Sequence, residues 1–163
     1  MICKMLKICR NTPQYKCENC EHCREVNSGS KVVCSEKKCR YSLDNPNHIP
    51  VTVFHVDGWL VSGDEDCPRC DYIYDINVPS KSVVIFIELK GMDYGKALQQ
   101  IESTVKLFVN AFGEAKRYAR IICTRVPNIR NNPQDVIMQK SLEKLGVNLG
   151  KGTKNITESI SSL

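Results

Sequence analysis

The stretch Val83-Val84-Ile85-Phe86-Ile87-Glu88-Leu89-Lys90-Gly91 decides our prediction of the fold. Its run of β-branched and aromatic residues predicts a buried strand. Because side chains alternate across a strand, we expect Glu88 and Lys90 on one face and the intervening apolar residues on the other. A buried carboxylate and ammonium are costly unless they are paired or hold a metal ion. The end of this strand is therefore our first candidate for a functional site.

The sequence on both sides of this strand predicts further strands and helices. The predicted elements are, in chain order, a hairpin at 51–61, strands at 72–76, 82–90 and 120–124, and helices at 93–112 and 133–145. The strands are predicted from β-branched and aromatic runs between turn residues, and the helices from apolar residues at helical spacing between capping residues. Together they predict an α/β fold with a mixed central β-sheet flanked by helices.

Length, composition and charge set the wider expectations. A chain of 163 residues has room for one compact domain, which we divide into a cysteine-rich lobe at 1–47, an α/β core at 48–149 and a flexible tail at 150–163. No apolar stretch is long enough to span a membrane, and the lysine-interrupted N-terminus is unlike a secretory signal, so we expect a cytoplasmic protein without a membrane partner. The net charge of +5 favours nucleic acid as the partner.

The residues around the central strand suggest a chemistry. Hydrolysis of a phosphodiester requires carboxylates that hold Mg²⁺ or Mn²⁺ and a cation that stabilises the developing charge. Asp71, at the start of the preceding strand, can lie beside Glu88 across an antiparallel pair, and Lys90 supplies the cation. Asp57 is a further candidate ligand. The structural alternative is an ordinary edge salt bridge between Glu88 and Lys90, with Asp71 in a solvated turn.

These motifs resemble the PD-(D/E)xK nuclease superfamily, which has a restriction-endonuclease-like fold. The resemblance spans roughly residues 57–125 and rests on Asp71, the apolar strand ending in Glu88-Leu89-Lys90 and the Gln99-Gln100 pair on the following helix. It implies that Asp71 and Glu88 bind Mg or Mn, that Lys90 positions water or the scissile phosphate, and that Gln100 supports the site. It thus implies a metal-dependent nuclease that cleaves DNA or RNA, with its nuclease-like core at 48–149.

One departure from the superfamily pattern supports a different function. The superfamily often carries a further glutamate on an early helix, and the N-terminal region here shows no clear amphipathic helix to hold one. Asp57 is the candidate substitute. The alternative is a non-catalytic, zinc-stabilised module that binds protein or nucleic acid and whose nuclease-like core is degenerate.

Ten cysteines in a chain expected to be cytoplasmic indicate metal ligands and free thiols rather than disulfides. C-x2-C spacing lets two thiolates reach one tetrahedral ion, and it occurs before residue 24 and again at 67–70. The candidate zinc ligands are Cys17, Cys20, Cys23, Cys34, Cys39, Cys67 and Cys70. Several four-ligand sets remain open. An iron–sulfur cluster is the less favoured metal, and cysteines without metal are the remaining alternative.

Basic residues after the central strand are candidates for contact with nucleic acid. They are Lys106, Lys116, Arg117, Arg120 and Arg125. A solvated basic face is the alternative interpretation of the same residues. The sequence leaves a protein partner or a homodimer open.

Overall fold

The computed structural model describes residues 23–57, 60, 68–78, 80–125 and 132–163. In chain order its elements are β1 (Arg24–Asn27), β2 (Lys31–Glu36), β3 (Cys39–Asp44), β4 (Val51–His55), β5 (Tyr72–Val78), β6 (Lys81–Lys90), α1 (Tyr94–Phe108), β7 (Lys116–Cys123), α2 (Pro133–Lys144), β8 (Val147–Thr153), β9 (Asn155–Ser159) and a 3-10 turn (Ile160–Ser162). Within these residues the fold is mixed α/β and mostly sheet, with two sheets and two helices.

The larger sheet has the strand order β1-β4-β5-β6-β7-β8. β6 pairs antiparallel with β5 and parallel with β7, and β7 in turn pairs parallel with β8. β6 therefore has a strand partner on each side from Val83 to Ile87, where both partners can satisfy its backbone groups. The predicted mixed sheet with this strand at its centre is confirmed.

Both faces of β6 are buried, and they belong to different cores. Val84 and Phe86 pack into a core shared with α1, whereas Ile85 and Ile87 pack into a second core on the opposite side of the sheet. A strand buried on both faces needs apolar residues at successive positions, which explains the near-continuous run in this sequence. The predicted alternation therefore places the side chain of Glu88 on the face that α1 covers.

The two helices begin where the sequence predicts. Asp93 caps α1 by accepting a hydrogen bond from Lys96 N at 2.9 Å, and Asn132 caps α2 in front of the proline that opens it. α1 ends at Phe108 rather than at the predicted Phe112, although the Phe112 ring still packs edge-on against two core phenylalanines. In the part of the chain that is described, neither helix is long and apolar enough to cross a bilayer.

A second sheet, which the sequence does not predict, covers the far side of the larger one. It has the order β2-β3-β9, with β2 and β3 antiparallel and β3 and β9 parallel. Two of its strands come from the expected cysteine-rich lobe, and β9 comes from the expected flexible tail. The tail is instead part of a sheet because its few apolar residues, Ile156, Ile160 and Leu163, all pack against the second core. The described part of the lobe also gives β1 to the larger sheet.

A buried ion pair joins the two sheets. On β7 the Nε of Arg120 lies 2.8 and 2.9 Å from the carboxylate oxygens of Glu158 on β9, and its Nη1 donates to the carbonyl oxygens of Ala119 and Asn148. Tyr41 Oη donates to the same carboxylate at 3.0 Å. A Cβ at Gly150 would lie 2.9 Å from Arg120 Cδ, so only glycine leaves room for this guanidinium.

We predict that Glu158→Ala destabilises the fold by on the order of 3 kcal/mol, because it leaves the buried cation of Arg120 without its anion. The free energy of unfolding measured by urea denaturation tests this. The control is Lys31→Ala, which removes a solvent-exposed ion pair with Asp44 (3.2 Å) and should cost less than about 1 kcal/mol. Equal losses in the two variants would contradict the structural role given to Glu158.

Candidate active site

The β5–β6 pairing brings the two predicted metal-binding carboxylates together. Tyr72 pairs with Ile87, so Asp71, one residue earlier, falls opposite Glu88. Leu89 N donates to Asp71 Oδ2 at 2.7 Å, which fixes the aspartate against the end of β6. The expected arrangement across an antiparallel pair is therefore what the structure contains.

Glu88 is an incompletely satisfied buried carboxylate. The residue is only 1% exposed. Its Oε1 lies 3.8 Å from Lys90 Nζ, and its Oε2 is buried without a hydrogen-bond partner. By contrast, the Lys90 side chain is 28% exposed and reaches solvent. A salt bridge at a solvated sheet edge does not describe this pair, because one member of the pair is fully buried.

The electrostatics of the site follow from this burial. The pKa of Glu88 is raised to about 9, first by desolvation and then by the charge of Asp71, and the ammonium of Lys90 opposes both effects. Desolvation also raises the pKa of Asp71 to about 6, against the opposing hydrogen bond from Leu89 N. Two adjacent carboxyl groups with raised pKa values favour either a bound proton or a bound cation between them.

Helix α1 holds the segment that leads into Asp71. Gln100 Nε2 donates to the carbonyl oxygen of Arg69 at 2.7 Å, and Cys70 N donates to Thr104 Oγ1 at 2.8 Å. Gln100 thus lies beside the site, as the resemblance implies. Its contact is with the backbone before Asp71, so it acts as a positioning residue. Its Oε1 is buried without a hydrogen-bond partner.

Two further acidic residues lie near the pair. Asp57 forms a 2.8 Å ion pair with Arg69, and its charge contributes to the raised pKa values of Asp71 and Glu88. Glu36, at the end of β2, has the same effect on both carboxyls. The position of Glu36 could not be predicted from the sequence, because no local pattern indicates the second sheet, in which β2 ends near this end of β6.

The cysteine predictions divide between described and undescribed residues. Cys17, Cys20 and Cys67 lie outside the described residues, whereas the remaining candidates are buried, namely Cys23, Cys34, Cys39 and Cys70. Cys39 Sγ donates to the carbonyl oxygen of Lys90 at 3.3 Å. In the residues that the structure describes, no group of three or more His, Cys, Asp or Glu side chains is placed to hold a metal ion. The zinc centre stays a prediction.

The expected basic residues do not form one surface. Arg120 is buried and bonded to Glu158 instead of lying on an exposed face. Lys106 forms an ion pair with Glu102 at 2.7 Å. The guanidinium of Arg117 donates hydrogen bonds to nearby backbone carbonyl oxygens. Lys116 is in register with Val83, which places it about 23 Å along the sheet from Lys90. Among these five residues, only Arg125 lies near the site and is also exposed: its neighbour Thr124 donates from its backbone N to the carbonyl oxygen of Gly91 at 2.7 Å.

Protein-family models, curated proteins and solved structures were all compared with this chain, and none matches it. Its function must therefore be inferred from the side chains of the site. These are a buried glutamate beside a partly buried aspartate, a partly exposed lysine next to them, and a helix that holds the segment before the aspartate.

We predict that the metal-free protein loses stability as pH rises because of Glu88. An unfolded glutamate loses its proton near pH ~4.3, whereas the folded Glu88, with a pKa of about 9, keeps it. Between these values the folded state binds the extra proton, so the free energy of unfolding falls by up to about 1.4 kcal/mol per pH unit from this group.

Urea denaturation in a metal chelator, at about pH 6 and about pH 8, measures this slope. Glu88→Gln should flatten it, and Glu143→Gln, on the exposed surface of α2, should not. The same slope in the wild type and in Glu88→Gln would show that burial does not raise the pKa of this carboxyl.

Proposed function

We propose that this chain is a metal-dependent nuclease that hydrolyses phosphodiester bonds of DNA or RNA. The observation that carries the proposal is the buried carboxylate of Glu88, with one oxygen unpartnered, beside Asp71 and Lys90. A carboxylate removed from water is stable as an anion only when cations or hydrogen-bond donors replace the lost solvent. Lys90, at 3.8 Å, does this incompletely.

The residues present fit a hard divalent cation. Mg²⁺ prefers oxygen ligands and is commonly held by one or two carboxylates, with waters and substrate phosphates completing its coordination. Asp71 and Glu88 would hold the ion, and the ion would polarise a phosphoryl oxygen and lower the pKa of a bound water. A pair of carboxylates therefore suffices, and a third protein ligand is not required.

The chain's own residues have distinct roles in this proposal. Lys90 combines a position next to the carboxylates with a partly exposed side chain, so it can donate hydrogen bonds to a phosphate that approaches from solvent. The hydrogen bond from Cys39 Sγ to its carbonyl oxygen fixes the backbone at this position. Gln100 and Thr104 fix the segment that precedes Asp71, so both carboxylates are held by elements of the core.

We propose in addition that β5, β6, α1 and β7 form a PD-(D/E)xK core of the restriction-endonuclease-like type. Support comes from the order of the parts: an aspartate before one strand, the glutamate and lysine at the end of the central strand, and a helix with an inward glutamine directly after it. The zinc-binding lobe belongs to the same proposal and rests on the C-x2-C spacings, which involve Cys17, Cys20 and Cys67.

A second candidate function is a non-catalytic module that binds nucleic acid or protein through a degenerate nuclease-like core. One observation favours it: in the described residues, no third His, Cys, Asp or Glu joins Asp71 and Glu88 in a group placed to hold a metal ion. The module would bind nucleic acid without cleaving it, so a cleavage assay separates the two functions.

We predict that the purified protein cleaves DNA or RNA in the presence of Mg²⁺ or Mn²⁺. Glu88→Gln and Lys90→Ala should each lower the cleavage rate by about 100-fold or more, because the first removes an anionic ligand of the metal ion and the second removes the cation next to the reacting phosphate. Gel analysis of labelled single- and double-stranded substrates measures the rate.

The matched controls are Asp44→Asn and Lys31→Ala. They remove the same two kinds of charge from an exposed ion pair on β2 and β3, at the end of β3 opposite to Cys39. Both should retain the wild-type rate. Binding without cleavage, or cleavage that persists in Glu88→Gln and Lys90→Ala, would replace the nuclease by the non-catalytic module.

A further inference from the structure

Two tight turns of the structure carry lysine where the backbone disfavours it. Lys37, between β2 and β3, has φ 52°, and Lys154, between β8 and β9, has φ 63°. A non-glycine residue in this left-handed region costs about 1 kcal/mol, and asparagine, aspartate or glycine is the usual choice. Turn geometry alone therefore gives no reason for a lysine at either position. Sparsely populated backbone conformations of this kind occur preferentially at functional sites.

Both turns lie at the active-site end of the sheets. Arg40 N, just after the first turn, donates to the carbonyl oxygen of Lys154 at 2.8 Å. Lys154 N in turn donates to the carbonyl oxygen of Cys123 at 2.8 Å, and Cys123 is in register with Lys90. The two turns are thus hydrogen-bonded into the ends of β3 and β7, directly beside the end of β6 that carries Lys90.

Exposed cations concentrate on this end of the molecule. We call the group the paired-turn surface, and its members are Lys37, Lys38, Arg40, Arg125, Lys151 and Lys154, all exposed to solvent. In the described part of the chain, only Lys37 among the six forms an ion pair, with Glu36 at 3.2 Å. The ammonium of Lys151 lies over the ring of Tyr94, 5.8 Å from its centroid. Several unpaired cations therefore lie next to a site proposed to act on a polyanion.

We propose that the paired-turn surface binds the phosphate backbone of the nucleic acid that the active site cleaves. This rests on the proposed function for the identity of the polyanion, but binding is measurable without cleavage. Lysine and arginine contacts to phosphates position a strand without reading its bases, so binding is independent of sequence. In this proposal the phosphate backbone of the bound strand runs across the two turns to Lys90. It does not follow Lys106 and Lys116, because Lys116 lies at the other end of the sheet.

The double variant Lys37→Asn with Lys154→Asn tests the proposal. Asparagine tolerates positive φ, so this variant keeps both turns and should unfold at the wild-type temperature or above. Fluorescence anisotropy in a metal chelator, with one sequence prepared as labelled DNA duplex, single-stranded DNA and RNA, measures binding in the absence of cleavage. The matched control is Lys140→Ala with Lys144→Ala, which removes two exposed charges from α2.

We expect the turn variant to bind at least one of these nucleic acids about 10-fold or more weakly than the control variant. On duplex DNA, the slope of log K against log salt concentration should become shallower by about 0.9 for each phosphate contact that is lost. The proposal would be overturned if the turn variant bound as tightly as the control variant. It would also be overturned if the double variant Lys106→Ala with Lys116→Ala lost more affinity than the turn variant. Glu88→Gln separates it from the proposed function: this variant should bind as the wild type does while losing cleavage. If Glu88→Gln still cleaves, the catalytic assignment of Glu88 is wrong. The binding proposal is then still decided by the anisotropy measurement alone.

Discussion

The burial of Glu88 is the constraint on which the rest of this structure depends. β6 lies between two cores, so every side chain along it except those near its ends meets apolar neighbours. A carboxylate at position 88 can occupy this place only if the surroundings supply a proton or a cation, and the protein places the ammonium of Lys90 3.8 Å away, with Asp71 as a second acidic group beside it. Because the fold could bury an apolar residue at lower cost, the charged pair is explained better by chemistry than by stability.

The two faces of β6 are covered by different elements: α1 covers the face that carries Glu88, and the second sheet covers the opposite face. By covering the face opposite to α1, strands β2, β3 and β9 turn β6 into an interior strand, and the Arg120–Glu158 ion pair fixes them to the larger sheet. The same packing carries the β2–β3 and β8–β9 turns to the end of β6. Helix α1 thus covers the face of the sheet that carries Glu88, while the second sheet brings exposed cations to the same end of β6. The two effects together produce a buried acidic site with a basic rim.

Local sequence signals predicted the parts of the fold that depend on local physics. Strands β5 and β6, helix α1 and the approach of Asp71 to Glu88 all followed from alternation, helical spacing and capping residues. The second sheet did not follow, because its strands are only five or six residues long and β9 pairs with β3 across more than a hundred residues of chain. For the same reason, sequence analysis could place neither Glu36 near the carboxylates nor Arg120 in an internal ion pair. The positions of Glu36 and Arg120 both depend on strands that are far apart in the sequence packing together.

The most direct test of the central claim is a crystal structure of the protein grown with Mn²⁺, with anomalous scattering used to locate the ion. The proposed function predicts an anomalous peak between Asp71 and Glu88, with the Oε2 atom of Glu88, unpartnered in the structure described above, among its ligands. An absence of Mn²⁺ at this position, with Glu88 protonated and hydrogen-bonded to a protein group, would contradict it. The buried carboxyl would then be a feature of the core and not of an active site.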